Sequence, residues 1–346
     1  MESERILGQN HILRHFENAI RMGKISHAYI INGEEGSGKM NLAIHFAKAL
    51  QCERNNSNKA INEDGERITV LGTACGQCKS CKQTDSKNQP DIKYITYEKS
   101  GIGVDEIREQ INDDIDIKPY SSPYKIYIVP ESEKMTVQAQ NALLKTIEEP
   151  PEYAIIILLT TNADTFLQTI LSRCVMLNIR PVKEDIIKNQ LTSQYGVGDY
   201  EARVAATFSN GNPGKAIKLA TSEEFKELKQ YVVGMFMSLE KGGMDIIGEA
   251  IKKTGTFKKQ IDEYFSLMRI WFRDILVYKA TKEEDQIIFQ DEYMTIEKMS
   301  QTYSFDDIND ILKAIDLAES RIKSNVNFDS TIEILLLSIK EKTSGK

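Results

Sequence analysis

The amino-acid sequence predicts an α/β fold in its first half and an all-helical fold in its second half. Short apolar, β-rich runs alternate with longer helical patterns up to about Ile179, and strand-like runs largely vanish beyond it. Parallel strands need crossover connections, which are usually helices, so the alternation favours a parallel sheet with helices on its faces. We predict three domains: an α/β domain at 1–179, a small helical domain at 180–222 and a helical C-terminal domain at 223–346.

Each predicted element rests on the spacing of its apolar residues. Ala154–Leu159 and Ile126–Val129 are apolar at successive positions, as central strands buried on both faces should be. Breaks in the helical half are predicted at Gly211-Asn212-Pro213-Gly214 and at Gly242-Gly243. The predicted strands are Ala28–Ile31, Ile92–Tyr97, Ile126–Val129, Ala154–Thr160 and Cys174–Ile179, and the helices of the first half include Ile12–Arg21, Lys39–Gln51, Val104–Ile115 and Val137–Glu148.

Composition limits the function classes. A net charge of −7 argues against a protein that coats nucleic acid through bulk electrostatics, because phosphate binding needs a basic face. The longest apolar run, Ala154–Leu159, is far shorter than the roughly 20 residues that span a bilayer. The charged start, Met1 to Arg5, does not resemble a signal peptide, so we expect a cytoplasmic protein whose five cysteines are thiols or metal ligands.

A phosphate-loop pattern follows the first predicted strand. The eight residues from Gly33 to Met40 place glycines and a lysine where backbone N–H groups can curl around phosphate oxygens at the start of a helix. The lysine would reach the outer phosphates. The predicted nucleotide-contacting residues of this loop are Gly33, Gly36, Ser37, Gly38, Lys39 and Met40.

Both supports of a magnesium ion are altered in this sequence. The loop normally ends in Ser or Thr, but Met40 offers only a thioether, which is a poor ligand for a hard cation. The strand Ile126–Val129 should be followed by a metal-binding Asp, yet Pro130 stands there, and Glu131 keeps only the carboxylate that would polarise water. Hydrolysis should therefore be crippled. Passive nucleotide binding and a purely structural loop both remain open.

Four cysteines predict a structural zinc site. Cys75, Cys78 and Cys81 have CxxCxxC spacing, and Cys52 ends the helix after the phosphate loop. Four thiolates suit a closed tetrahedral zinc site. The alternatives are an iron–sulfur cluster, for which no further Cys followed by Pro is present, and unpaired thiols. The polar stretch from Glu53 to Ala74 is predicted to loop out, and Cys174 lies outside the cluster.

Several motifs resemble those of the bacterial clamp-loader subunits. His27-Ala28-Tyr29 before the phosphate loop is similar to that family's opening, and so are the run from Asn141 to Pro151 and the triplet Ser172-Arg173-Cys174. The resemblance extends over nearly the whole chain and is strongest from Lys125 to Cys174. It implies a RecA-like AAA+ domain with a five-stranded sheet and a zinc module at 52–81, then a helical lid and a helical collar that joins five subunits into a ring.

The resemblance also implies roles for single residues and partners. Arg173 resembles an arginine finger donated to the ATP of a neighbouring subunit, and Asn162 lies in a segment similar to sensor 1. The implied partners are gamma/tau and delta subunits and, through the complex, the sliding clamp and primed DNA. Because Met40 and Pro130 break the metal motifs, the sequence is closest to the non-hydrolysing, stator-like members. The competing hypotheses are a gamma/tau-type ATPase and a zinc-dependent DNA-binding protein.

Overall fold

The protein folds as two compact units in a computed structural model that describes residues 6–56, 72–98, 101–241 and 245–344. The first unit comprises 1–187 with 210–215, and the second comprises 188–209 with 216–346. The divisions after Ile187 and Lys215 fall inside helices, and the division after Ser209 falls in a turn. The division into three domains stays a prediction.

The first unit is built on a five-stranded parallel sheet with the strand order β2-β3-β4-β1-β5. The strands are β1 (Ala28–Asn32), β2 (Ile92–Tyr94), β3 (Lys125–Val129), β4 (Ala154–Thr160) and β5 (Val175–Asn178). This confirms the predicted fold class, a RecA-like α/β arrangement followed by helices. The second strand is shorter than predicted: beyond Tyr94, Thr96 exchanges hydrogen bonds with the Gln110 side chain.

Helices cover both faces of this sheet. The helices of the first unit are α1 (Asn10–Arg21), α2 (Lys39–Gln51), α3 (Glu53–Asn56), α4 (Lys79–Asp85), α5 (Val104–Ile107), α6 (Asp113–Ile115), α7 (Val137–Glu148) and α8 (Gln168–Leu171), with a π-helical turn at Arg108–Asn112 between α5 and α6. Another helix, α9 (Glu184–Tyr195), begins in this unit and continues into the second. The bounds of α2 and α7 agree with the prediction. At the start of α7, Thr136 accepts a hydrogen bond from Ala139 N, which satisfies one free amide of the first turn.

Two apolar layers hold the sheet between its helices. Successive residues of β3 face opposite layers: Ile126 and Ile128 pack in one, Tyr127 and Val129 in the other. Period-2 alternation with apolar residues at every position is what a strand covered on both faces requires. In one layer Phe46 of α2 stacks on Phe16 with ring centroids 4.0 Å apart.

One sequence prediction is wrong in part, and others lie outside the described residues. Glu53–Asn56 forms a helical turn instead of a loop, because Asn55 and Asn56 N–H groups donate to Cys52 O. Residues 57–71 of the predicted loop lie outside the described part of the chain, and residues 72–74 form neither helix nor strand. The predicted break at Gly242-Gly243 is likewise outside them.

The described residues of the second unit form helices joined by short connections, and none of them forms a strand. Beyond the second part of α9, its helices are α10 (Asp199–Phe208), α11 (Pro213–Thr221), α12 (Glu223–Lys241), α13 (Asp245–Thr256), α14 (Ile261–Thr281), α15 (Tyr293–Thr302), α16 (Phe305–Lys323) and α17 (Phe328–Ser344). Trp271 is fully buried and stacks on Phe236 at 5.7 Å. Ser304 and Asp307 cap α16 reciprocally. Among the described helices, none has both the length and the low charge needed to cross a bilayer.

Candidate functional site

The phosphate loop joins β1 to α2 and folds back on its own lysine. Gly38 has a φ of 96°, a left-handed conformation that glycine adopts without a Cβ penalty. Lys39 Nζ donates to Gly33 O at 2.6 Å and to Glu34 O at 2.8 Å. Burial lowers the pKa of Lys39, although the carboxylates nearby oppose that effect. The ammonium that would meet phosphate is therefore occupied by the carbonyls of the loop.

Acidic side chains surround this lysine. The carboxylates that act on the pKa of Lys39 belong, in order of strength, to Glu133, Glu35, Glu131 and Glu34. One of them, Glu131, is paired with Lys134, and Arg180 adds a positive charge to the lining of the adjacent cavity. The charges near Lys39 are therefore of both signs.

A turn from further along the chain closes over the loop. Asn212 Nδ2 donates to Glu35 O at 2.7 Å, and Gly214 N donates to Gly36 O at 3.1 Å. A Cβ on Gly214 would lie 2.5 Å from Gly36 O, so only glycine allows this approach. Asn212 Oδ1 also accepts from Lys215 N and so caps α11. This turn therefore packs against the loop and donates hydrogen bonds to two of its carbonyls.

The positions that would support magnesium have other roles in this fold. Met40 is partly buried against the apolar layer that contains Phe46. Glu131, after Pro130, has a φ of 46°, and its carboxylate accepts hydrogen bonds from Tyr97 Oη and from Lys134 Nζ, the latter at 2.9 Å. The hydrogen bond from Tyr97, followed by that from Lys134, lowers the pKa of Glu131. The carboxylate predicted to polarise water is therefore already paired.

The segment after β4 is held by a different glutamate. Thr161 donates to Glu133 through Oγ1 at 2.8 Å and through its backbone N–H at 3.3 Å. Asn162 Oδ1 accepts from Asp164 N and caps a short 3-10 turn. A cavity of about 260 Å³ beside the loop is lined by Gly33, Ser37 and Thr161 among others, but Asn162 is not among its described lining residues.

The four predicted cysteine ligands lie together. The Sγ atoms of Cys52, Cys75, Cys78 and Cys81 are all within 4.8 Å of one another. Cys52 lies at the end of α2, Cys81 is within α4, and Gly76 supplies the turn between the first pair with a φ of 71°. Cys52 and Cys81 are fully buried. The cluster can hold a metal ion.

The geometry of the cluster suits thiolates around one ion. Cys75 Sγ and Cys81 Sγ are 3.9 Å apart, close to the edge of roughly 3.8 Å in a tetrahedron with Zn–S bonds near 2.3 Å. Backbone N–H groups of Cys75, Cys78 and Cys81 each donate to the sulfur of another ligand at 3.3–3.4 Å. Such backbone donors stabilise thiolate sulfur. The hydrogen bond between the Cys81 and Cys52 side chains lowers the pKa of Cys52 and raises the pKa of Cys81.

Arg173 lies on the surface between α8 and β5. Its guanidinium forms an ion pair with Glu148 at 2.9 Å and donates to Thr169 O at 3.0 Å. The side chain is 40% exposed. Exposed ion pairs contribute only about 0–1 kcal/mol, so the guanidinium can leave Glu148 for a stronger anion.

The sequence identifies these motifs but not the residues that contact them in the folded chain. The sequence predicts the turn at Asn212 as a helix break that is similar to the family's lid turn, but not its contact with the phosphate loop. Lys134 and Tyr97 belong to no motif. The order Asn-Pro-Gly indicates the start of a helix. The contact of Asn212 with Glu34, 178 residues earlier in the chain, cannot be predicted from the local sequence.

Comparisons with known proteins identify the family. The family model described as "DNA polymerase III, delta subunit" matches residues 8–183, which is half of the chain, and the model described as "DNA polymerase III, delta subunit, C terminal" matches residues 248–341. The chain therefore belongs to this family of AAA+ clamp-loader proteins.

Relatives within the family differ in how much of the chain they match. The chain is 26% identical over 337 residues to DNA polymerase III subunit delta' of Bacillus subtilis, covering 96% of each protein. It is 33% identical over 221 residues to subunit tau of the same organism, covering 62% of this chain but 36% of tau. Subunit gamma of Buchnera aphidicola is 34% identical over 182 residues, covering 53% of this chain and 46% of gamma. Of these three relatives, delta' is the one matched along nearly its full length.

Proposed function

We propose that the chain is a non-hydrolysing, stator-like subunit of the clamp loader, similar in role to delta'. The observation that carries this proposal is the loss of both magnesium supports at Met40 and Pro130, together with the pairing of Glu131 to Lys134. Magnesium bridges the phosphates and neutralises the charge that develops during phosphoryl transfer. Without its ligands, the chain would bind partners rather than turn over ATP.

The phosphate loop, in this proposal, takes no nucleotide. Lys39 is held by loop carbonyls, and the Asn212–Gly214 turn donates hydrogen bonds to the carbonyls of Glu35 and Gly36. Of the two interpretations that the sequence leaves open, these contacts favour a structural loop over passive binding. The gamma/tau-type alternative would need each of these contacts to be broken.

Arg173 would act on a neighbouring subunit. Its guanidinium carries several N–H donors in a planar fork and is always charged, which suits the oxygens of a γ-phosphate. Arginine fingers are worth roughly 10³–10⁵ in rate. Glu148 would hold the side chain extended until a triphosphate on the neighbour replaces it. Arg173 would thus contribute catalysis in trans.

The proposed partners follow from the relatives. Matches to delta', tau and gamma support a hetero-pentameric ring with gamma/tau and delta subunits, which would act on the sliding clamp and primed DNA. The cysteine cluster would hold one structural zinc. Four protein ligands leave no open coordination position, so the ion would fold the module and not activate water.

The decisive test is reconstitution with motor subunits, delta, clamp and primed DNA. Arg173→Ala should lower turnover at the one site that it serves by about 10³-fold or more, removing that site's share of the stimulated ATPase. Single-turnover ATP hydrolysis by the assembled complex measures this share. Arg108→Ala, at another exposed arginine of the same unit, is the matched control and should leave the rate unchanged.

Two outcomes would contradict the proposal. If the complex assembled with Arg173→Ala hydrolyses ATP at every site as the wild-type complex does, Arg173 has no role in trans. ATP hydrolysis by the isolated chain at the rate of a motor subunit, abolished by Lys39→Ala, would favour the gamma/tau-type alternative instead.

A further inference from the structure

Gln140 is a buried glutamine that joins α7 to the segment leading into α8. It is 1% exposed and lies in the first turn of α7. Its Nε2 donates to Thr165 O at 3.0 Å, and its Oε1 accepts from Leu167 N at 2.8 Å. One side-chain amide therefore binds the carbonyl before Phe166 and the N–H group after it.

The segment that Gln140 holds is extended. Phe166 has a φ of −83° and a ψ of 146°, and Leu167 has a φ of −61° and a ψ of 143°. An extended segment cannot satisfy its own N–H and C=O groups, so a neighbour must do it. Here that neighbour is a side chain, and backbone groups that lose such a partner shift until they meet water or another polar atom. Gln140 thus fixes the backbone where α8 begins.

Arg173 follows α8, which is a single turn of four residues. Leu167 is the N-cap of this turn, and its carbonyl accepts from Ile170 N at 3.0 Å and from Leu171 N at 3.1 Å. The backbone N–H of Arg173 donates to Ile170 O at 3.0 Å, and its guanidinium donates to Thr169 O at 3.0 Å. So short a helix has no stability of its own. The direction of α8, and with it the place of the guanidinium, depends on what holds its first residues.

The other contacts of this segment are less directional or less permanent. Phe166 and Ile170 are buried in an apolar layer, and hydrophobic contact favours burial without setting a direction. The ion pair of Arg173 with Glu148 joins side chains that are 40% and 45% exposed, and in the role proposed above the guanidinium leaves it. The hydrogen bonds of Gln140 are buried or half-buried and remain when that ion pair is broken.

We propose that Gln140 is a positioning residue for Arg173: it holds α8 in the orientation that brings the guanidinium to the triphosphate of a neighbouring subunit. This inference rests on the proposed role of Arg173 in trans. Leu167 and Arg173 are six positions apart, about 9 Å of helical rise, so a small tilt at the N-cap moves the guanidinium. Misplacing a reacting group by about 1 Å can lower a rate roughly 10²-fold.

The test is single-turnover ATP hydrolysis by the full complex assembled with Gln140→Met, which keeps the length of the side chain but removes its amide. The rate constant at the site that Arg173 serves should fall roughly 10- to 100-fold. A variant that only folds or assembles poorly would lower the amplitude of the reaction and leave its rate constant unchanged. Gln138→Met, at an exposed glutamine of the same helical turn, is the matched control and should change neither.

Two double variants separate positioning from a general packing defect. In an Arg173→Ala background, Gln140→Met should not lower the rate constant further, because no guanidinium is left to position. Leu167→Pro should restore most of the rate that Gln140→Met removes. Proline has no N–H that needs an acceptor, and its ring fixes φ close to the −61° that Leu167 already has. Phe166 is extended, as the residue before a proline prefers to be.

The results that would overturn this role differ from those that would overturn the proposed function. If Arg173→Ala slows the served site and Gln140→Met does not, the positioning role is wrong and the role of Arg173 in trans stands. The positioning role is also wrong if the effect of Gln140→Met persists in the Arg173→Ala background, or if Leu167→Pro does not relieve it. If Arg173→Ala itself changes nothing, the proposed function fails, and the positioning role fails with it.

Discussion

At the scale of single residues, the described contacts explain why a residue at a motif position need not perform the chemistry of that motif. Glu131 stands where a catalytic carboxylate would, yet its left-handed backbone directs it to Lys134 and Tyr97. Strain of this kind persists only when neighbouring contacts hold it. Glu131 is therefore part of a polar cluster with Tyr97 and Lys134.

The cysteine cluster gives a prediction at the same scale. Cys78→Ser should reduce bound zinc from one equivalent to nearly none, because one thiolate of four is lost. Elemental analysis after purification under reducing conditions measures this. Cys174→Ser is the matched control: burial raises the pKa of Cys174 to about 12, and it lies outside the cluster, so zinc should be retained. Iron in place of zinc, or no metal in the native chain, would contradict the assignment.

At the scale of elements, Asp114 of α6 joins a helix to the edge of the sheet. Its carboxylate contacts Lys93 of β2 at 2.7 Å, and Lys125 and Tyr127 of β3 at 2.8 Å each. Burial raises the pKa of Asp114, but the hydrogen bonds from Lys125, Lys93 and Tyr127 outweigh it and lower the pKa below the usual 3.8. Asp114→Asn should therefore lower the free energy of unfolding at pH 7 by about 3 kcal/mol.

The pH dependence of that loss has a definite sign. Because the pKa is lower in the folded than in the unfolded state, the stabilisation is complete above 3.8 and disappears as the pH falls through the folded-state pKa. Denaturant unfolding at pH 7 and pH 3 should show the difference between wild type and Asp114→Asn shrinking at the lower pH. Asp116→Asn, at an exposed neighbour, should change little at either pH. A difference that stays constant with pH would contradict the ion-pair explanation.

At the scale of the whole molecule, the proposal that the phosphate loop takes no nucleotide has a thermodynamic consequence. A ligand at 100 times its dissociation constant stabilises a protein by about 2.7 kcal/mol. We expect magnesium ATP at millimolar concentration to leave the thermal unfolding of the isolated chain unchanged. A chelator strong enough to remove zinc should lower the unfolding temperature, which shows that the assay responds to ligands. A rise of several degrees with ATP would contradict the closed loop.

The strands of the sheet, most of the helices around it and the motifs at the ends of the strands could be predicted from the sequence. The spacing of apolar residues predicts the first and last residues of α2 and α7 correctly. Met40 has no hydroxyl and Pro130 no carboxylate, so the sequence alone excludes magnesium coordination by these two side chains. These features are local. They depend on residues a few positions apart in the chain.

The contacts made by the site residues could be learned from the folded chain alone. The contact between Gly214 and Gly36 and the hydrogen bond from Tyr97 to Glu131 join residues that are distant in sequence. Hydrogen bonds and close backbone approaches act over a few ångströms in space, so their partners are set by how the elements pack and not by spacing along the chain.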